Sequence, residues 1–470
     1  MPRPPTVTPS DVTLRLQASG PQTALDLAAS IGVHRSQITR QLAKLGDAVT
    51  QLGRGPRSGY RYALRRRVRN LADHWPLYRI GPGGRAAQWA TLHTLHGGYQ
   101  LAWTGEPPAW ADRLADREGF LDGLPCMLGD LRPQGFLGRL TARGVATALG
   151  VDPNPEQWSD DDTLIYLQTF GRDCPGNLLV GEGPLRTFQD QRLQGTVERD
   201  AVPAAERVAR YAGFATATIA GDAPGSSVGG EQPKFAITLS ENGEHHPVLV
   251  KFSPVNDGAA ANRRWTDLLI AEHHALAVLA AHGLADPHAQ LLESADRVFL
   301  EVRRHDRNGA YGRIGQISLT ALHAGLAAGA ARDWTGAADD LLRSGLVDTN
   351  TRRTIRRLAF FGVLIGNSDM HFGNLSFYLD DALPLRLTPT YDMLPMLWRP
   401  GAQGELAPRE LTLTPPLPAD IDDGWNTAAG WARDFWQRVA DDPRISDDFR
   451  QIARHSQSAL GRLITLFGTP

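Results

Sequence analysis

The sequence of 470 residues predicts a two-lobed α+β body with a smaller separate unit at its N-terminus. Three observations support this. Strand-like alternation is concentrated between about residues 235 and 302, and mainly helical segments follow from about residue 315. Short helical segments and a hairpin pattern precede both. The charge is divided as well: residues 1–70 carry 12 Arg and Lys against 3 Asp, a net charge of +9, whereas the other 400 residues carry −11.

The bulk composition is that of a globular protein, with 42% hydrophobic and 21% charged residues. The two cysteines, Cys126 and Cys174, are far apart and lack metal-ligand spacing, which favours a reducing compartment. The first residues lack the apolar run of a signal peptide, and no apolar stretch is long enough to span a membrane. We therefore expect a cytoplasmic protein without a membrane partner.

The N-terminal unit is predicted to contain three short helices and a β-hairpin. Gly20-Pro21 ends the first helix, and Thr23 is a suitable N-cap for the second. Gly32 supplies a short turn to the third helix. The hairpin is predicted over residues 49–64 around a Gly-Pro-Arg-Ser-Gly tip. The side chains expected to face the core are Leu27, Ile31, Ile38, Leu42 and Leu45.

Two helices joined by a short turn and followed by a basic hairpin are typical of a winged helix-turn-helix, whose second helix of the pair enters the DNA major groove. The expected outward side chains of that helix are Arg35, Ser36, Gln37, Thr39, Arg40, Gln41 and Lys44. Arg, Gln and Ser bind base edges and phosphates. The candidate DNA-binding residues are Arg35, Gln37, Arg40 and Lys44 of the helix and Arg54 and Arg57 of the hairpin, which also carries Arg61. Similar units serve elsewhere as dimerisation or peptide-binding modules, so RNA or a protein is an alternative ligand.

The rest of the chain divides at changes in pattern. Strands are predicted at residues 75–80, 98–103, 235–239, 245–252, 289–294, 297–302, 375–378 and 385–388. A long helix is predicted at about 262–282, and Glu241-Asn242-Gly243 is typical of a hairpin turn. We predict four domains: the winged helix-turn-helix at 1–68, a subdomain at 69–220, an ATP-binding small-lobe region at 221–310 and a mainly helical catalytic lobe at 311–470.

The sharpest chemical signal is the polar loop at residues 366–374, which follows an apolar helical run. Asp369 and Asn374 have the spacing of the kinase catalytic loop, in which Asp orients the attacking hydroxyl and Asn holds Mg²⁺. Asp392, after a strand-like segment, is a candidate for a second Mg²⁺ ligand, because Mg²⁺ prefers oxygen. His371 of the same loop is a further catalytic candidate. One such Asp–Asn pair is common by chance, since both residues often make turn or capping bonds.

The order of other motifs along the chain supports a catalytic role for the pair of Asp369 and Asn374. A Gly/Ser loop with Ser227, Gly229, Gly230 and Lys234 precedes a strand, and backbone N–H groups in such loops approach phosphate oxygens. Lys251 then lies at the end of a strand, where it is placed to contact nucleotide phosphates, and Glu272 lies in the next helix, where its carboxylate would fix that lysine. Taken singly, these are a flexible loop, an edge-strand lysine and a solvated glutamate. Together they predict an ATP- and Mg²⁺-binding phosphotransferase.

These motifs resemble those of the HipA-type serine/threonine kinases, the toxin components of bacterial toxin–antitoxin systems. The resemblance rests on residues 227–234, 304–307, 366–374 and 389–394, and residues 131–139 and 171–176 resemble the N-terminal subdomain of that family. It covers roughly residues 70–460. It implies the two-lobed protein-kinase-like HipA fold.

The resemblance also implies residue roles. Asp369 would be catalytic, Asn374 and Asp392 would bind Mg²⁺, Lys251 would contact ATP phosphates, residues 300–303 would hold adenine, and Ser227 would be autophosphorylated. The chain departs from the family at Gly373, where members often carry Lys. The fused N-terminal unit would supply in cis the DNA binding that a separate antitoxin supplies in the simplest systems.

The sequence thus predicts a serine/threonine protein kinase acting as a toxin or growth regulator. Its expected partners are a protein substrate, duplex DNA and an antitoxin, and a homodimer would match the paired half-sites that helix-turn-helix proteins often read. Two other functions fit the same sequence: a transcription regulator whose kinase-like body only senses a nucleotide or partner, and a small-molecule kinase.

Overall fold

The computed structural model describes residues 7–53, 60–116, 119–220 and 232–468. We call residues 7–68 the head, residues 69–200 the middle region and residues 201–468 the body. Within these described segments, no helix is long and apolar enough to cross a membrane.

The head has its own core and contains the three helices and two hairpin strands expected from the sequence, together with one short strand at residues 22–23 that the sequence does not predict. They are α1 (Pro9–Ser19), β1 (Gln22–Thr23), α2 (Ala24–Ile31), α3 (Arg35–Leu45), β2 (Val49–Leu52) and β3 (Arg61–Leu64). The strands pair antiparallel in the order β1-β3-β2. Thr23 caps α2 in a capping box with Asp26, and Gly32, with φ +74°, forms the left-handed turn into α3. The core packs Val12, Leu16, Leu27, Ile38 and Leu42 together.

The structure corrects the sequence prediction for one side chain of α3. Gln41 is expected to face outward, but it is 7% exposed and follows Ile38 by three residues on the buried face. Arg35, Arg40 and Lys44 are exposed, and Gln37 is half-buried. The hairpin candidates Arg54 and Arg57 lie outside the described residues.

The middle region is a five-stranded antiparallel sheet with helices packed on it. Its elements are β4 (His74–Ile80), β5 (Ala86–Leu95), β6 (Gly98–Trp103), β7 (Phe120–Leu121), α4 (Cys126–Gly129), α5 (Gly135–Leu149), α6 (Asp160–Phe170), β8 (Leu178–Val180), α7 (Glu182–Leu193) and α8 (Thr196–Asp200). The strand order is β7-β6-β5-β4-β8. The sequence predicts β4 and β6 but not β5, whose Ala and Leu residues have little strand preference. Pairing with strands on both sides overrides that local preference.

The head is attached to the middle region by backbone and side-chain bonds. The Arg66 N–H donates to the Thr94 carbonyl at 3.0 Å, and the His96 N–H donates to the Leu64 carbonyl at 2.9 Å. The Arg66 guanidinium donates to both carboxylate oxygens of Asp161 at 2.7 Å. The backbone around the end of β3 therefore forms hydrogen bonds with the backbone at the end of β5.

One further arginine of the head, Arg61, strengthens this joint, and Arg69 makes a similar bond just beyond it, within the middle region. Arg69 donates to Asp162 at 2.6 Å, and Arg61 pairs with Asp116. The sequence suggests that Arg61 contacts DNA through the hairpin, but in the structure its guanidinium also lies over the ring of Phe120. Part of the basic charge of the head is therefore used for docking within the chain.

The small lobe of the body is a five-stranded sheet with helices packed against it. It contains β9 (Val202–Pro203), α9 (Arg207–Ala220), β10 (Lys234–Glu241), β11 (Glu244–Phe252), α10 (Ala260–Ala280), β12 (Gln290–Glu293) and β13 (Val298–Arg303). The strand order is β12-β13-β11-β10-β9. Asn242 and Gly243 both have positive φ, which suits the tight turn between β10 and β11. The register places Lys234 opposite Lys251, so both side chains face the same side of the sheet.

The large lobe is mainly helical. It contains β14 (Arg307–Asn308), β15 (Gly312–Arg313), β16 (Gln316–Ser318), α11 (Leu319–Leu326), α12 (Trp334–Arg343), α13 (Thr349–Leu364), β17 (Ser376–Tyr378), α14 (Pro418–Asp420), α15 (Asn426–Asp441) and α16 (Asp447–Phe467). The strand predicted at residues 385–388 is reduced to one bridge between Leu387 and Phe377. Pro384 and Pro389 flank it and lack the N–H groups that a longer ladder needs.

Candidate active site

The loop that carries Asp369 begins where α13 ends. Gly366 has φ +74°, and a Cβ there would lie 2.8 Å from the Trp398 ring, so the turn requires glycine. Asn367 follows and bonds in two directions: its Oδ1 accepts from the Asp369 N–H at 3.0 Å, and its Nδ2 donates to the Asp392 carbonyl at 3.3 Å. Asn367 thereby joins the two predicted catalytic segments.

Asn374 is held at the other end of the same loop. It is 8% exposed, and its Nδ2 donates to the Asp369 carbonyl at 2.8 Å. Since the amide nitrogen is engaged, the side-chain oxygen is the atom available to a cation. The predicted Asp–Asn pair is therefore connected through the backbone of Asp369.

Asp392 has an unusual backbone conformation, with φ +53°. Few residues other than glycine adopt this left-handed region, although Asp tolerates it better than most. The preceding Tyr391 anchors the segment, because its hydroxyl donates to the Gly373 carbonyl at 3.0 Å and bonds the Ser376 hydroxyl at 2.6 Å. The position of Asp392 is thus determined by the loop that carries Asn374.

Lys251 lies between two carboxylates. Its Nζ is 2.5 Å from Oε1 of Glu272 and also bonds Asp392. Burial opposes the charge of the ammonium, but Asp392 and Glu272 outweigh that effect and raise the pKa of Lys251. Burial would likewise raise the pKa of Asp392, yet Lys251 and Lys234 hold it below its ordinary value. Lys251 is therefore a cation and Asp392 an anion at neutral pH.

Glu272 is the most enclosed member of the group. It is 1% exposed, and its Oε2 has no hydrogen-bond partner among the described residues. Burial raises the pKa of Glu272, while Lys251 opposes that rise. Glu272 lies in the middle of α10, so the helix fixes the lysine from behind the sheet, as predicted from the order of the motifs.

His371 and Gly373 form a compact turn at the mouth of the site. The Gly373 N–H donates to Nδ1 of His371 at 3.0 Å, and the Trp334 Nε1 donates to the His371 carbonyl at 3.1 Å. A Cβ at position 373 would lie 2.9 Å from two atoms of the His371 ring. Glycine therefore lets the imidazole fold over the backbone where a larger residue would displace it.

A cleft of about 630 Å³ lies between the middle region and the body. Five residues predicted from the sequence line it: Lys234, Asp369, His371, Asn374 and Asp392. Lys251 bonds Asp392 at the wall of the cleft, and Glu272 lies behind Lys251. Ser227, Gly229 and Gly230 lie outside the described residues.

Sequence reasoning missed the opposite wall of the cleft. Arg132, Gln134, Arg139 and Glu156 of the middle region line it, facing the loop that carries Asp369. Arg132 is held by Thr163, whose hydroxyl accepts from its Nε at 3.0 Å. The motif at residues 131–139 is the signal that points to this wall, although the sequence alone assigns it no role.

The donor set fits Mg²⁺ and the phosphates of a nucleotide. Asn374 and Asp392 present a side-chain oxygen and a carboxylate, and Mg²⁺ in phosphoryl-transfer sites commonly takes one or two protein ligands, with phosphates and water completing the shell. Lys234 and Lys251 lie opposite one another on adjacent strands and bring positive charge to the same face. Over the described part of the chain, there is no cluster of three or more His, Cys, Asp or Glu suited to a metal. A metal held by Asn374 and Asp392 would therefore have few protein ligands.

Known proteins are similar to this chain in sequence and in fold. A family model of the HipA-like C-terminal domain matches residues 226–460, and a model of the middle domain of YjjJ-like toxins matches residues 71–189. Toxin YjjJ of Escherichia coli (strain K12) is 35% identical over 441 residues, covering 93% of this chain and 95% of that protein. The chain belongs to the YjjJ-like family of HipA-like toxins. This confirms the resemblance that the sequence motifs indicate.

The fold of this HipA-like toxin has a solved counterpart. A chain of the Shewanella oneidensis MR-1 toxin–antitoxin complex of HipA, HipB and operator DNA matches with a TM-score of 0.51. The match covers 84% of this chain and 97% of that chain at 16% sequence identity. At that identity the likeness shows the fold alone, and it confirms the predicted kinase-like HipA fold.

Proposed function

We propose that this HipA-like toxin transfers the γ-phosphoryl group of ATP to a Ser or Thr hydroxyl of a protein. The observation that carries the proposal is the bonded set of Lys251, Glu272 and Asp392, joined through Asn367 to the loop of Asp369 and Asn374. Lys251 and Asp392, 141 positions apart in the chain, meet there, which supports the proposal because phosphoryl transfer uses a lysine and a metal-binding carboxylate beside the nucleotide phosphates.

Each side chain has a distinct role in the proposed reaction. Asp369 lines the cleft and orients the acceptor hydroxyl, accepting its proton as the new P–O bond forms and the bond from the γ-phosphorus to the bridging oxygen of the leaving ADP breaks. Lys251, fixed by Glu272, and Lys234 on the adjacent strand bind phosphate oxygens. Asn374 and Asp392 would hold Mg²⁺, which neutralises charge that builds on the phosphate oxygens. Positioning and electrostatics then account for most of the rate gain.

The head supports a second part of the proposal, binding of duplex DNA in cis. α3 follows a three-residue turn after α2 and exposes Arg35, Arg40 and Lys44. Such a helix can enter a major groove while its neighbours contact the backbone. The solved complex with the similar fold contains an antitoxin and operator DNA, which favours the same classes of partner for this chain.

The kinase proposal is tested by incubating the full chain with labelled ATP, Mg²⁺ and a cell lysate. We expect labelled proteins with the natural chain, none with Asp369→Asn, and ATP binding by both. Asp434→Asn, an exposed position on α15, serves as the matched control and should label like the natural chain. If Asp369→Asn labelled proteins as strongly as the natural chain does, the role of Asp369 would be refuted.

The same experiment separates the alternatives. Binding of ATP without transfer to any acceptor would favour a transcription regulator that only senses a nucleotide. Label in small molecules but not in protein would favour a small-molecule kinase. The predicted self-phosphorylation at Ser227, outside the described residues, is tested by comparing the intact mass of the natural chain and Ser227→Ala after incubation with ATP.

A further inference from the structure

A second cavity of about 480 Å³ lies beside the catalytic cleft, between the middle region and the large lobe. We call it the trough. One wall is residues 121–126 together with α4, and the other is α11. Gly129 and Gln134 line both the trough and the catalytic cleft, so the two cavities adjoin. An extended chain seated at Asp369 can therefore continue into the trough without leaving the surface.

The floor of the trough is fixed by short contacts between the two regions. Both carboxylate oxygens of Asp130 accept hydrogen bonds from Ser318, one from its N–H at 2.7 Å and one from its hydroxyl at 2.5 Å. Ser318 also caps α11. A Cβ at Gly325 would lie 2.4 Å from Cβ of Cys126, so α4 and α11 approach closely. The cavity is thus formed before a ligand arrives, which reduces the entropic cost of binding.

The lining determines what fits. Its wall is largely apolar, with Leu114, Leu121 and Leu124 facing Ala321 and Ala324. Asp122 and Asp130 are the charged side chains among the lining residues, and Asp130 is already bonded to Ser318. The exposed carboxylate of Asp122 at the rim therefore repels an acidic ligand, while the wall favours an apolar side chain.

We infer that the trough binds an apolar side chain of the protein substrate, close in sequence to the phosphorylated Ser or Thr. The inference rests on the proposed kinase function and names its substrate class: extended segments with an aliphatic or aromatic residue at one fixed distance from the acceptor and no acidic residue there. An extended chain advances about 3.3 Å per residue, so only one flanking position of the bound substrate lies at the right distance to place its side chain in the trough.

The test uses the full-length chain, Mg²⁺, labelled ATP and a library of Ser-centred peptides in which each flanking position is fixed in turn. At one position we expect apolar residues to be phosphorylated about tenfold faster than Asp, the scale of burying part of one aliphatic side chain. Ala324→Arg and Thr320→Arg place bulk on the exposed face of α11, four residues apart. Either variant should reduce that preference to about twofold or less and leave the KM for ATP unchanged.

Ala148→Arg is the matched control, because it is exposed near the other end of α5, about 20 Å along the helix from Gln134. A flat peptide profile for the natural chain, or a preference that survives in folded Ala324→Arg and Thr320→Arg, overturns the trough assignment. Failure to label any peptide despite ATP binding overturns the kinase function itself, and the inference with it.

Discussion

Lys251 and Glu272 form a buried ion pair across the small lobe, with 2.5 Å between Nζ and Oε1 and both side chains at most 6% exposed. Lys251 also bonds Asp392, so this single cation connects α10, β11 and the segment after β17. A charge buried without its partner is costly, whereas an intact pair is not necessarily stabilising. We therefore propose that the pair mainly positions Lys251.

We expect Lys251→Met to lower the free energy of unfolding by about 3–5 kcal/mol, because Glu272 is left as an uncompensated buried carboxylate. Adding Glu272→Leu should restore most of that stability while phosphoryl transfer stays at least about 100-fold below the natural rate. Denaturant unfolding and a kinase assay measure the two effects. Lys44→Met, at an exposed position, is the control and should change stability by less than about 0.5 kcal/mol.

If the double variant remained as unstable as Lys251→Met, the cost would come from Asp392 and not from Glu272. If it recovered both stability and activity, Lys251 would have no part in catalysis.

Gly373 and His371 are expected to act as one unit. Gly373→Ala places a methyl group 2.9 Å from the imidazole, which must turn aside, and we expect the transfer rate to fall about three- to tenfold. In a His371→Ala background the same change should have no further effect, because the ring is already absent. Rates from the four variants measure this coupling.

Gly430→Ala is the control for a glycine replacement, since a Cβ there meets no atom within 4 Å and the position lies inside α15. It should leave the rate unchanged and stabilise the helix by about 0.5–1 kcal/mol. Additive losses from Gly373→Ala and His371→Ala would show that the ring does not mediate the effect.

The joint between the head and the middle region depends on Arg66. Arg66→Asp removes a bidentate bond and places two carboxylates together, so we expect faster hydrogen exchange at the backbone amides of residues 66 and 96. The cost of losing the natural pair is about 1–3 kcal/mol. Combining it with Asp161→Arg re-forms the pair in reverse and should recover part of the protection.

Arg67→Asp is the matched control, because Arg67 is exposed and its guanidinium bonds carbonyl groups of its own segment, at Asn70 and Leu71. Equal loss of protection in Arg67→Asp and Arg66→Asp would point to general charge repulsion as the cause.

Substitutions of Arg35 and Arg40 in α3 test the proposal that the head binds DNA. Each phosphate contact adds about 0.9 to the slope of log affinity against log salt, so Arg35→Ala or Arg40→Ala should weaken duplex binding and lower the slope by about that amount. Titrations of the full chain with duplex DNA and with RNA at several salt concentrations measure both. Arg15→Ala, exposed on α1, should leave the slope unchanged. Equal binding by all three variants and the natural chain would place the nucleic acid elsewhere.

Much of this protein can be predicted from local sequence. The N-cap at Thr23, the turn at Asn242-Gly243, the long helix of Glu272 and the loop from Gly366 to Asn374 are each specified within a few residues. Periodicity and turn chemistry operate over that range, so the order of elements and of kinase motifs is visible in the sequence. The pair of Lys251 with Glu272 follows from that order.

Tertiary structure decided what depends on distant segments. The buried face of α3 includes Gln41, and α3 packs against α1 and α2. Arg61, Arg66 and Arg69 bond aspartates 55 to 95 residues away. The wall of the cleft that contains Arg132, and the trough, form because the middle region packs on the large lobe. One contact between the two is the hydrogen bond from Trp110 Nε1 to the Asp380 carbonyl, at 2.9 Å. Local sequence preferences do not predict such pairings, because the favourable free energy of these contacts is gained only when the distant regions pack together.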